Sequence, residues 1–132
     1  MPNGQEVKRV SIGHDTVRAN IITYGAIIQD LKLPNIGHPL VLGYHHFAPY
    51  VRNPGMIGAI VGRYANRIAE GSAVIDGVTH DFDKNQDGVH TLHGGKAHSG
   101  TRLWKIMDLG QDFVVLSDVI PANHMGFPGN LN

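Results

Sequence analysis

The stretch Ser72-Ala73-Val74-Ile75-Asp76-Gly77-Val78-Thr79-His80-Asp81-Phe82 decides the fold class. Two short β-prone runs, 72–75 and 78–82, flank Asp76-Gly77. That pair tolerates the positive φ angles a two-residue hairpin turn demands, so it is the strongest short hairpin signal available. Val78, His80 and Phe82 then share one face of the second strand.

Outward from this hairpin the chain reads as more of the same. Residues 7–12 and 17–23 form two strands about a turn at Gly13-His14-Asp15. Residues 27–33 alternate, with Ile27, Leu31 and Leu33 on one face beside Gln29, and Asp30 and Lys32 on the other. Residues 40–42 are a brief apolar run expected to form a strand. The irregular segment 45–54 holds room for one helical turn. Residues 56–61 are apolar throughout, as in a strand buried on both sides. Residues 104–109 and 113–120 make a last hairpin around Gly110-Gln111-Asp112, and 121–130 is a long loop. No helix exceeds two turns. Seventeen glycines, nearly twice the usual share of about 7%, and seven prolines fit many turns between short strands. The expected fold is all-β, a mostly antiparallel β-sandwich, with residues 1–132 forming part of a single domain.

Composition narrows function by exclusion. Eleven Lys+Arg balance eleven Asp+Glu, so no long-range field favours nucleic acid or anionic lipid. Cysteine is absent, which excludes disulfides and thiolate metal sites. The first residues lack an apolar signal core, and the longest apolar run is far too short to span a bilayer. A soluble, cytoplasmic protein without nucleic-acid or membrane partners is the expectation. Nine histidines suggest metal, but there is no His-x-His pair and no His-Glu-x-x-His motif. His90 and His93 fall on opposite faces of a strand. No metal site is expected.

The chemistry-bearing residues lie on either side of the hairpin. Gly62-Arg63-Tyr64-Ala65-Asn66-Arg67 precedes it and Leu92-His93-Gly94-Gly95 follows it. A guanidinium suits paired oxygens such as vicinal hydroxyls or a carboxylate. Spacing alone favours a surface arginine pairing with an acid such as Glu70. Alternation sends Asn66 and Arg67 to opposite faces, with Arg67 the better ligand. The imidazole of His93 can protonate or hydrogen-bond an ether-like oxygen, although a loop histidine bonded to backbone is the commoner case. The glycines beside it, lacking Cβ, allow a polar ligand close to the backbone. Tyr64 and Trp104 can stack on a sugar ring, Trp104 reading more as core.

These blocks, with Ile22-Thr23-Tyr24-Gly25-Ala26, Leu40-Val41-Leu42-Gly43-Tyr44, Arg102-Leu103-Trp104 and Gly126-Phe127-Pro128-Gly129-Asn130-Leu131, resemble the N-terminal part of the aldose 1-epimerase (galactose mutarotase) family. The resemblance runs through nearly the whole chain. It implies a galactose mutarotase-like supersandwich, here truncated, and a cofactor-free isomerase that interconverts the α and β anomers of monosaccharides such as galactose and glucose. It implies that Arg67, Asn66 and His93 bind substrate and that His93 also serves catalysis near the ring oxygen. The family's glutamate base and a second histidine come later than Asn132. The chain alone is therefore expected to be inactive or weakly active, and to self-associate or pair with a missing C-terminal segment. The alternative is a non-catalytic carbohydrate-binding β-module derived from the family. A sugar-phosphate epimerase relative would need a basic cluster, for which Lys96 and Arg102 are the candidates.

Overall fold

The computed structural model describes residues 4–52 and 55–132. The N-terminal reading and the irregular segment 45–54 thus extend, at residues 1–3 and 53–54, outside the described residues. Every strand pairing is antiparallel, and the single α-helix among the described residues, α1 (Ala48–Arg52), is five residues long. The chain divides into two compact units, Met1–Ile60 with Leu103–Ser117, and Val61–Arg102 with Asp118–Asn132.

The first unit holds a three-stranded sheet of β1 (Arg9–His14), β2 (Val17–Ile22) and β3 (Ile27–Lys32), in that order. Asn20 pairs with Asp30 and Ile21 with Ile28, so Gln29 is an extra residue, a bulge. Its side chain turns inward as the alternation expected. The buried amide Nε2 donates to the Tyr44 carbonyl at 2.8 Å. The core gathers Ile22, Tyr24, Ile27 and Tyr50, with Phe47 edge-on to Tyr24 at 5.4 Å between ring centroids.

Two expected strands are absent. Residues 40–42 form a loop in which Leu42 is 80% exposed, tied down where the Leu40 N–H donates to the Leu31 carbonyl at 2.8 Å. Residues 56–61 form no strand because Met56 and Gly58 turn left-handed, at φ 51° and 73°. The segment bonds by single contacts instead, the Ile28 N–H to the Gly58 carbonyl and the Ile60 N–H to the Gly25 carbonyl, both 3.0 Å. The last hairpin is present as β8 (Lys105–Leu109) and β9 (Val114–Ser117). Trp104 is half-buried, its N–H donating to the Thr23 carbonyl at 2.8 Å.

In the second unit β5 (Ser72–Ile75) and β6 (Val78–Asp81) form the hairpin around Asp76 and Gly77, whose φ angles of 50° and 78° are those of a type I′ turn. A second pair joins β4 (Arg67–Ile68) to β7 (Thr91–Leu92), with Arg67 opposite Leu92. Phe82 and Phe127 stack at 4.3 Å and are both buried. No helix of the described residues is long and apolar enough to cross a membrane.

Candidate functional site

β4 and β7 carry the site, because each ends on a residue that leaves the strand conformation. Asn66 and His93 have φ angles of 65° and 56°. Between them the His93 N–H donates to the Asn66 carbonyl at 2.9 Å, and the Asn66 N–H donates to His93 Nδ1 at 3.0 Å. With Nδ1 accepting, the neutral ring carries its hydrogen on Nε2, as a donor.

The left-handed turn at Asn66 overturns the alternation argument: Asn66 and Arg67 do not diverge. The Arg67 Nη1 donates to Asn66 Oδ1 at 3.0 Å, and Arg67 Nε donates to Gln86 Oε1 at 2.6 Å. The acid partner suggested for Arg67 is absent too, since among the described residues Arg67 enters no ion pair. Asn66, Arg67 and His93 are thus linked into one cluster. His90, by contrast, accepts the Glu70 N–H on Nδ1 at 3.0 Å. Among the described residues no group of three or more His, Cys, Asp or Glu could hold a metal ion.

The glycine pair does a different job from the one expected. A Cβ on Gly94 would lie 2.2 Å from the Gly62 carbonyl oxygen, and one on Gly95 would lie 3.0 Å from the side chains of Asp83 and Met125. Protein, not ligand, occupies the space these glycines clear. On the Arg67 side of the cluster lies a cleft of about 480 Å³ lined by Tyr64, Arg67, Ile68, Phe82 and Phe127 among others. Its wall is mostly apolar, and its polar lining includes Arg67 and Tyr64, the latter 55% exposed. Asn66 and His93 do not line it. Lys96 and Arg102 form no basic cluster: Lys96 Nζ lies 3.4 Å from Asp83 Oδ1, and Arg102 binds Asp118 through Nε and Nη2.

Three residues of this unit escaped the sequence. Gln86 buttresses Arg67, and its signal was a second Asp-Gly pair, Asp87-Gly88, which turns the chain just after it with φ 55° and 68°. Asn85 clamps Leu92, accepting its N–H at 2.7 Å and donating to its carbonyl at 2.9 Å. His98 is 3% exposed, and its Nδ1 accepts the Gly100 N–H at 3.0 Å. Burial, and secondarily the nearby His93, push its pKa below the usual histidine value of 6.5. The unfolded chain therefore binds a proton here that the folded chain refuses, between the ordinary value and the lowered one. Stability present above about pH 6.5 is lost as pH falls through that window. His98→Asn, which keeps an acceptor for the Gly100 N–H, is expected to flatten the fall in thermal midpoint between pH 6.5 and 5. An unchanged slope would remove His98 as its source.

Comparison with known proteins identifies the family. The family model "Aldose 1-epimerase" matches residues 8–132, through both units. The galactose mutarotase of Bos taurus is 32% identical over 130 residues, covering 95% of this chain and 37% of that protein. The aldose 1-epimerase of Haemophilus influenzae is 31% identical, covering 99% and 38%. A crystal structure of the GalM/aldose epimerase homologue from C. elegans superposes with a TM-score of 0.86 at 27% identity, covering 95% of this chain and 39% of that one. The fold is thus the galactose mutarotase-like β-sandwich. This chain spans 29% to 39% of the length of the first curated relatives it matches.

Proposed function

From the premise that this chain belongs to the aldose 1-epimerase family, we propose that its second unit carries the sugar-binding part of a mutarotase site for free aldoses such as galactose and glucose. The observation that supports this reading is the cluster itself: a guanidinium, an amide and an imidazole held together by hydrogen bonds of 2.9 to 3.0 Å. Arg67 and Asn66 grip sugar hydroxyls, the guanidinium taking neighbouring oxygens. His93 presents Nε2–H to the ring oxygen.

Mutarotation needs two proton transfers. A base removes the proton of the anomeric hydroxyl while an acid delivers one to the ring oxygen. The bond from C1 to the ring oxygen breaks, the aldehyde turns, and closure on its other face gives the other anomer. A donor already aimed at the ring oxygen lowers the barrier to opening by stabilising the charge that develops there. In this reading His93 supplies or supports the acid, no cofactor enters, and the base is neither Glu6 nor Glu70. Glu70 sits in a left-handed turn at φ 58°.

The reading predicts that the chain binds galactose in calorimetry, and that Arg67→Ala weakens binding at least about tenfold, the loss of one good charged hydrogen bond. Polarimetry on fresh α-galactose should show little acceleration by the 132 residues alone. Ordinary enzyme rates would show that the base has been misplaced. Absence of binding to any aldose would remove the reading, while binding without catalysis in every longer form would favour the carbohydrate-binding module. Exposed apolar side chains on strands with open edges, such as Val74 at 68% and Met107 at 64%, favour association with a second copy or a further segment. Size-exclusion chromatography giving a compact monomer would argue against that.

A further inference from the structure

Gln86 has no part in the chemistry above, yet its side chain holds the guanidinium on which that chemistry depends. Of the five N–H donors of an arginine, the one on Nε goes to Gln86 Oε1 and one on Nη1 goes to Asn66 Oδ1. The Nη2 donors have no partner among the described residues. We propose that Gln86 is the positioning residue for Arg67: its amide oxygen locks the guanidinium through Nε and leaves the remaining Nη donors for the hydroxyls of a bound sugar. The inference rests on the sugar-binding reading of Arg67 and names what makes that site stiff.

Two further features support it. First, the backbone of Gln86 is fixed independently of its side chain. The Gln86 N–H donates to the His90 carbonyl, and the N–H groups of Val89 and His90 both donate to the Gln86 carbonyl, each at 3.0 Å. Next to it Asn85 bonds both backbone groups of Leu92, the residue that faces Arg67 across the strand pair. The acceptor is therefore mounted on the same two-stranded frame as the group it holds. Second, the acceptor is neutral. A carboxylate here would compensate the guanidinium, whereas the two amides of Gln86 and Asn66 orient it and leave its charge for ligand oxygens. A long side chain held at two points loses less freedom when ligand arrives, and that is how preorganisation raises affinity.

Three variants test this: Gln86→Met, with similar length and no acceptor; Gln86→Glu, which restores an acceptor; and Arg67→Lys, which identifies the Arg67 Nε–H resonance by its disappearance. Because the turn is made by the backbone of Gln86, the thermal midpoints of the two Gln86 variants should stay within a few degrees of the parent. The Nε–H of Arg67 should exchange slowly with water in the parent and in Gln86→Glu, and quickly in Gln86→Met. Galactose affinity by calorimetry should fall about tenfold in Gln86→Met and recover only in part in Gln86→Glu, whose carboxylate holds Nε but also compensates the charge. Equal Nε–H exchange in parent and Gln86→Met, or equal affinity where the parent binds galactose, overturns the positioning role. If the parent binds no aldose, the sugar-binding reading fails by itself, and the exchange measurement still decides whether Gln86 holds Arg67.

Discussion

Gly94→Ala is expected to lower the thermal midpoint by about 10 °C or more. The new Cβ would sit 2.2 Å from the Gly62 carbonyl oxygen, 2.5 Å from its carbon and 2.6 Å from the Arg63 nitrogen. All three are backbone atoms, so no side-chain rotamer can relieve the overlap, and one backbone segment must move. Overpacking of this kind costs about 1–3 kcal/mol or more. The φ of 91° at Gly94 adds roughly 1–2 kcal/mol for an L side chain. At a few degrees per kcal/mol for a domain of this size, the shift follows. The carbonyl being pushed also accepts the Ser99 N–H at 3.2 Å, so the disturbance spreads toward His98. Gly77→Ala separates the two causes. Gly77 has a similar φ, 78°, but its Cβ would meet nothing within 4 Å. Only the backbone strain remains, and a shift of a few degrees is expected. Urea or thermal melts of both variants decide it: equal shifts would mean that the approach of residues 62 and 63 to Gly94 is not close.

That comparison also shows which features the sequence could carry. The hairpin β5–β6 was legible because its determinants are local, two alternating runs and an Asp-Gly turn within eleven residues. The β1–β2 and β8–β9 pairs were legible for the same reason, their ends shifted by up to three residues. The run 56–61 was misread because apolarity says nothing of backbone sign, and the left-handed turns at Met56 and Gly58 leave no mark beyond one glycine. At the site, residue types were legible and geometry was not. Asparagine tolerates the left-handed region better than most residues, but its neighbours do not fix it there: the group that captures the Asn66 N–H is the ring of His93, twenty-seven residues away. The link between residues 66–67 and 93 therefore came from family resemblance, and Gln86 and His98 were missed because their partners are fixed by pairing across the second unit.

Arg63 makes the same point in the other direction, and Arg63→Ala is the second large effect expected. In sequence it is a twin of Arg67, four residues earlier in the same block. In the structure its guanidinium is spent on the fold. Nη1 donates to the Pro128 carbonyl at 2.6 Å, and Nη2 reaches the carbonyls of Gly129 at 2.6 Å, Ile120 at 2.8 Å and Pro121 at 3.3 Å. These carbonyls bracket the loop that Ile120 and Leu131 close by a reciprocal pair of backbone hydrogen bonds, 2.8 and 2.9 Å. Hydrogen bonds to a charged donor contribute about 1.5–3 kcal/mol each. Two of the four contacts are exposed and Nε lacks a partner among the described residues, so the net loss on truncation should be near 2–4 kcal/mol. Arg63→Lys should recover little of it, because a single ammonium cannot span carbonyls on both sides of the loop. Amide exchange locates the effect: the Ile120 and Leu131 N–H groups should lose protection in Arg63→Ala while those of β5 and β6 keep theirs. Uniform loss across the second unit would mean global unfolding instead, and unchanged protection at Ile120 and Leu131 would mean the loop closes without Arg63. Two arginines of one motif would thus be told apart by what they leave unused. Arg63 gives both Nη nitrogens to the chain, whereas Arg67 keeps Nη2 for something else.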